Sequence, residues 1–69
     1  MQLSARNQIK GTVKQMRHGE VETEVVVEIA PGLEIASIIT RTSAERMQLK
    51  AGAGVYAIIK ASNVILGVD

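Results

Sequence analysis

Apolar and polar side chains alternate along most of the chain, which is the pattern of strands that bury one face of a sheet. The alternation is interrupted once, after residue 41, by a run of good helix formers. The pattern therefore predicts an all-β fold with one short helix. We place the strands at residues 3–17, 20–30, 34–40, 53–61 and 63–68, and the helix at residues 44–50.

Three strands, one helix and two further strands form the element order of a five-stranded, OB-like Greek-key barrel. The second strand carries its glutamates on one face and mostly valines on the other, which predicts a half-buried antiparallel strand. The third strand is apolar on both faces, with Ile35 and Ile39 on one and Ala36 and Ile38 on the other. A strand without a polar face is covered on both sides, and we expect a second copy of the chain to supply one cover.

Two turns and one helix cap separate these elements. His18-Gly19 predicts a hairpin turn in which the glycine adopts positive φ. Pro31-Gly32 is typical of a type II turn. For the helix, the sequence predicts a capping box formed by Thr42 and Glu45 at its start. We expect Gly52 to end the helix by adopting the left-handed conformation.

Composition limits how such a chain can be stabilised and what it can bind. The chain has 69 residues, which we interpret as a single domain over 1–69, and its only aromatic residue is Tyr56. It has no cysteine and one histidine, so disulfides and a metal site cannot staple a core of this size. Oligomerisation is the remaining way to stabilise the core. The missing cysteines and the absence of a signal-like apolar stretch favour the cytoplasm.

A row of hydrogen-bond donors lies along one face of the first predicted strand. It consists of Ser4, Arg6, Gln8, Lys10, Thr12 and Lys14, and no acidic residue interrupts it. Such a row can bind an anion, or it can be the solvated face of a strand. A second donor pair, Lys60 and Ser62, favours the anion site. The net charge of +1 gives no global field for a nucleic acid or a membrane, and no nucleophile–base pair predicts an enzyme.

Three motifs resemble those of a known family across essentially the whole chain. They are Ser-Ala-Arg-Asn-Gln at 4–8, Ile-Thr-x-x-Ser-Ala at 39–44, and Ile-Lys-Ala-Ser-x-Val-x-Leu-Gly at 59–67. Together they are similar to the molbindins, the small molybdenum-pterin-binding or Mop proteins. The resemblance implies intertwined dimers that assemble into a hexamer as a trimer of dimers. It also implies binding of molybdate or tungstate as the bare oxyanion, without direct protein ligands to the metal.

The same resemblance assigns individual residues to the oxyanion. In the family, the matching positions surround it at an interface between subunits, and here they are Ser4, Arg6, Thr40, Lys60, Ala61 and Ser62. Ala61 would act through its backbone N–H. Ser43 matches the middle motif but also suits a helix cap. His18 and Gly19 are candidates for a further site near a three-fold axis.

Two other functions compete with this interpretation. An OB-type barrel is also a fold for single-stranded nucleic acid, but that function uses several aromatic stacking platforms and this chain has one. A module that assembles without binding a ligand is the other alternative. Storage or homeostasis of molybdenum, without catalysis, is the function that the sequence favours.

Overall fold

The computed structural model describes all 69 residues and contains four strands, one α-helix and one 3₁₀ turn. The elements are β1 (Asn7–His18), β2 (Glu22–Ala30), β3 (Leu33–Thr40), α1 (Arg41–Arg46), β4 (Gly54–Ile59) and the 3₁₀ turn (Ala61–Asn63). The mostly β fold with one short helix is confirmed. No helix has the length and apolar character to cross a membrane.

The four strands form one antiparallel sheet in the order β3-β2-β1-β4. The long strand β1 pairs with β4 through its first half and with β2 through its second half. A bulge at Lys14, between Val13 and Gln15, shifts the register so that Met16 rather than Gln15 faces inward. The sheet curls into a half-barrel, and an apolar groove separates its two edge strands, β3 and β4.

The core is small because a single four-stranded sheet covers only one side of it. Val13, Val25 and Val27 are buried at its centre, with Thr23 and Ala44 beside them, and no other residue of the chain is buried. The groove has a volume of about 330 Å³, and 12 of its 13 lining residues are hydrophobic. An open apolar groove next to so small a core leaves the single chain short of buried surface.

The prediction of a fifth strand is wrong for the single chain. Residues 64–69, which we call the apolar arm, follow the 3₁₀ turn without regular secondary structure. Ile65, Leu66 and Val68 are 93%, 89% and 99% exposed. A strand needs a partner for its backbone groups, and the arm pairs with none in its own chain. Gly67, expected inside a strand, therefore lies in this arm.

The helix begins and ends earlier than the sequence predicts. Its N-cap is Thr40 rather than Thr42, and its last residue is Arg46 rather than Lys50. The amides of Gln48 and Leu49 bond the carbonyls of Glu45 and Ala44, which is a Schellman motif. Gln48 takes the left-handed position with φ of 54°. Gly52 does have positive φ, but in the turn after the helix.

Two turns join the first three strands. Gly32 has φ of 78°, as the third position of a type II turn requires, so this prediction is confirmed. The prediction for Gly19 is wrong, because its φ is not positive. The β1–β2 connection spans residues 19–21 and is closed by a bond from the Gly19 amide to the Glu22 carbonyl at 2.7 Å. This longer connection leaves Val21 72% exposed, outside the inward face predicted for it.

Candidate oxyanion site

One end of the sheet gathers the donors from both ends of the chain. Asn7 is paired with Ile59, and the Asn7 side-chain amide also donates to the Ile59 carbonyl at 3.1 Å. Continued by one residue, this antiparallel register sets Arg6 beside Lys60. The ladder goes no further, because residues 61–63 form the 3₁₀ turn, and Ser62 lies in that turn. Because β1 starts only at Asn7, Ser4 and Arg6 lie in the segment before the strand rather than on its face.

The donors at this end are free to bind a ligand. Ser4, Arg6, Lys60 and Ser62 are exposed, and none of their side chains forms a hydrogen bond or ion pair within the chain. Other members of the predicted donor row are occupied. Gln8 donates to the Ala5 carbonyl at 3.2 Å, and Lys14 donates to the Glu34 carboxylate, which raises the pKa of Lys14.

The 3₁₀ turn after β4 presents backbone donors next to these side chains. Lys60 is its N-cap, and its two backbone bonds run from the Asn63 amide to the Lys60 carbonyl at 2.9 Å and from the Val64 amide to the Ala61 carbonyl at 3.3 Å. The N–H groups of Ala61 and Ser62 take part in neither bond. The first N–H groups of a helical turn lack intrahelical partners, so this turn can direct two amides at an anion.

Thr40 and Ser43 form a hydroxyl pair at the start of α1. The Thr40 oxygen accepts from the Ser43 amide at 3.1 Å, and the Thr40 hydroxyl donates to Ser43 Oγ at 2.8 Å. The single hydroxyl proton of Thr40 is thus used inside the pair. The Ser43 proton has no acceptor in the chain, so Ser43 is the free donor and Thr40 positions it.

His18 and Gly19 lie at the same end as this pair. His18 Nδ1 is 2.8 Å from the hydroxyl of the fully buried Thr23, which fixes the ring. The Gly19 amide is bonded to Glu22, and its carbonyl accepts from Arg41 Nη1 at 3.4 Å. Gly19 therefore has no free backbone donor, whereas His18 keeps Nε2 available.

The two groups of candidate residues lie at opposite ends of the sheet. β1 and β3 run in the same direction across β2. The start of β1 and the end of β3 are therefore at opposite ends of a molecule whose longest dimension is 35 Å. The oxygens of a small oxyanion need donors within about 3 Å. One chain cannot bring Arg6 and Ser43 to the same ion.

Two residues that the sequence interpretation missed hold these ends in place. The side chain of Asn7 links β1 to β4. Arg41 holds the β1–β2 connection, because its backbone amide donates to the Val21 carbonyl and its guanidinium donates to the Gly19 carbonyl. Asn7 had a signal in the sequence, because it is the one polar residue among the inward positions Ala5, Asn7 and Ile9. No cluster of His, Cys, Asp or Glu side chains forms a cation site.

The comparisons with known proteins agree in fold and in ligand class. The family model described as TOBE domain matches residues 3–66. Molybdenum-pterin-binding protein 1 of Clostridium pasteurianum is 46% identical, over 96% of this chain and 97% of the relative. A molybdate-binding protein of Sporomusa ovata is 31% identical, with a TM-score of 0.91 over 99% of this chain and all of that one. The cytoplasmic molybdate-binding protein ModG, solved with molybdate bound, is 48% identical, with a TM-score of 0.94 over this whole chain and 49% of its own.

Proposed function

This chain belongs to the TOBE-domain family, among the molybdenum-pterin-binding proteins, and from that premise we propose that it binds molybdate as an intact oxyanion. The observation that carries the proposal is the cluster of unoccupied donors at the β1–β4 end, with Arg6 and Lys60 as its cations. We extend it to tungstate, which has the same charge and shape. The role is storage or homeostasis of the oxyanion in the cytoplasm, the compartment named for ModG.

The donor set suits a tetrahedral dianion. Two cations balance its two negative charges, which avoids the cost of an unpaired charge in a closed site. Hydroxyls and the N–H groups of the 3₁₀ turn supply neutral donors for the remaining lone pairs. The only acceptors in the set are the hydroxyl oxygens, so the hydrogen of a phosphate OH competes with the donors that the dianion needs, and phosphate is disfavoured. Sulfate has the same charge but is smaller, so donors spaced for molybdate bind it more weakly.

We also propose that the complete site lies between copies of the chain. The free donors at the β1–β4 end and the Ser43 hydroxyl are at opposite ends of one subunit, so an ion that contacts both must lie between two subunits. In a two-fold pair, each end of one copy meets the opposite end of the other, which creates two equivalent sites. Three such pairs would form the hexamer that the sequence motifs imply.

The apolar arm supports a pair in which the two chains are intertwined. It is apolar on both faces, with Val64, Leu66 and Val68 on one and Ile65 on the other. The groove between β3 and β4 is likewise lined by apolar residues. The segment 35–39 at its edge has the same number of residues as the segment 64–68. The arm of a second copy would enter this groove as the fifth strand and close the barrel. Both free sheet edges and the exposed leucine and isoleucine would then be covered.

Sedimentation tests the assembly. A folded, cooperatively unfolding monomer of 7.4 kDa at micromolar concentration would contradict the shared site and the exchanged arm together. The expected result is an oligomer with no folded monomer. Circular dichroism on the same samples distinguishes a folded monomer from an unfolded chain.

Calorimetry with molybdate, tungstate, sulfate and phosphate tests the binding. We expect similar affinities for molybdate and tungstate and much weaker binding of sulfate and phosphate. Arg6→Ala and Lys60→Ala each remove a charge-assisted bond of about 1.5–3 kcal/mol, whereas Ser4→Ala removes a neutral one of about 0.5–1.5 kcal/mol. Arg6→Lys keeps the charge but loses the paired donors of the guanidinium, so it also weakens binding.

Lys10→Ala is the matched control for these variants. Lys10 is an exposed cation on β1, opposite Tyr56 and outside the candidate site. Its loss lowers the overall charge by the same amount as the loss of Arg6. If Lys10→Ala weakens molybdate binding as much as Arg6→Ala does, binding is a general electrostatic effect. Equal affinity for sulfate would likewise reduce the site to a generic anion patch.

A further inference from the structure

The donors Lys60, Ala61 and Ser62 occupy the hinge of the apolar arm. The 3₁₀ turn at Ala61–Asn63 is the only connection between β4 and residues 64–69. It is held by the two backbone bonds at 2.9 and 3.3 Å, and no side chain of Lys60, Ser62 or Asn63 bonds to the rest of the chain. The direction in which the arm leaves its subunit is thus set by a few backbone torsions.

From this placement we propose that the bound oxyanion acts as a clasp that fixes the exchanged arm in the groove of the second copy. The inference rests on the proposed function, since it uses the same donors. An anion held by the N–H groups of Ala61 and Ser62 and by Arg6 connects the hinge to the segment that precedes β1. Once the 3₁₀ turn is held against β1, the arm can extend away from its own subunit in only one direction.

The coupling is reciprocal. If the oxyanion favours the docked arm by a given factor, the docked arm favours the oxyanion by the same factor. Coupling between two sites in proteins commonly spans about 5–150-fold. With the ligand directly on the hinge, we expect a factor of at least about tenfold. The same factor must then appear in two independent measurements, one on the arm and one on the ligand.

Hydrogen exchange measures the arm in the unmodified protein. The amides of residues 64–68 are compared without ligand, with saturating molybdate and with an equal concentration of sulfate. We expect molybdate to slow their exchange at least about tenfold, and sulfate to leave it unchanged. In Lys60→Ala, the slowing by molybdate is lost. Exchange rates that stay the same while calorimetry on the same sample records molybdate binding would overturn the clasp.

Calorimetry on an arm variant measures the opposite direction. Leu66→Asn places a polar group on the arm without changing any donor, and it should weaken molybdate binding at least about tenfold. Leu33→Asn is the matched control, since Leu33 is also exposed, at 56%, but is the first residue of β3 and lies outside the arm and its hinge. Its affinity for molybdate should stay within about twofold of the parent.

The two proposals fail in different ways. If the parent protein binds no molybdate, the proposed function is wrong. If the parent binds molybdate, and Leu66→Asn binds it as tightly, the function stands and the clasp is overturned. If Leu66→Asn does not fold, the hydrogen-exchange comparison on the unmodified protein decides the question alone.

Discussion

Gly11→Ala tests how closely β1 packs on β2. A Cβ atom at this position would lie 2.6 Å from Val27 Cγ1 and 2.8 Å from the Glu28 carbonyl oxygen. Val27 is only 5% exposed and the Glu28 oxygen belongs to the backbone of the neighbouring strand, so neither can move away freely. Overpacking of this kind costs about 1–3 kcal/mol, and two contacts this short place the cost near the upper limit. The lower entropy of the unfolded alanine chain returns about 0.4–1 kcal/mol.

The expected net loss is therefore about 2 kcal/mol in the free energy of unfolding. Urea denaturation followed by circular dichroism measures it, at one fixed subunit concentration because stability of an oligomer depends on concentration. Gly54→Ala is the control on the neighbouring strand, where a Cβ meets no atom within 4 Å. It should be neutral or slightly stabilising. The packing argument is refuted if Gly11→Ala unfolds at the same urea concentration as the parent.

Three further variants address local features. Gln48→Gly should stabilise the protein by about 0.5–1 kcal/mol in urea denaturation. The left-handed conformation costs Gln48 about 1–2 kcal/mol, which is more than the free energy lost because an unfolded glycine has higher conformational entropy. Thr40→Ala should lose about 1 kcal/mol with the N-cap, whereas Thr40→Ser keeps it. Lys14→Gln should lose the contribution of the Glu34 ion pair below pH 10.5, and this difference from the parent should vanish as the pH rises through the raised pKa of Lys14.

The alternation of apolar and polar residues could predict the four strands because each buries one face against the same core. In β2, Thr23, Val25 and Val27 face inward and are buried, as the period of two requires. The type II turn could be predicted because the Pro31-Gly32 pair restricts the backbone by itself. The single domain over 1–69 and the individual donors of the oxyanion site stay predictions.

The fifth strand and the helix cap could not be predicted from the same rules. An alternating pattern at 63–68 indicates which side chains need burial, but it does not say whether their own chain or a second copy buries them. For the helix, Thr40 precedes Ser43 and Thr42 precedes Glu45 by the same spacing, so two caps overlap in the sequence. Burial of Ala44 against the sheet favours the earlier one.

The position of the site within the sheet follows from strand direction rather than from motif order. In an antiparallel sheet each strand reverses the chain, so the start of β1 and the end of β4 meet at one end, and the end of β3 reaches the other. Two of the three motifs therefore share an end of the subunit and the middle motif does not. Each end holds only part of the donor set that we propose for the tetrahedral ion. If the complete shell lies between two copies, as we propose, the affinity for the oxyanion must fall when the protein is diluted below the concentration at which it assembles.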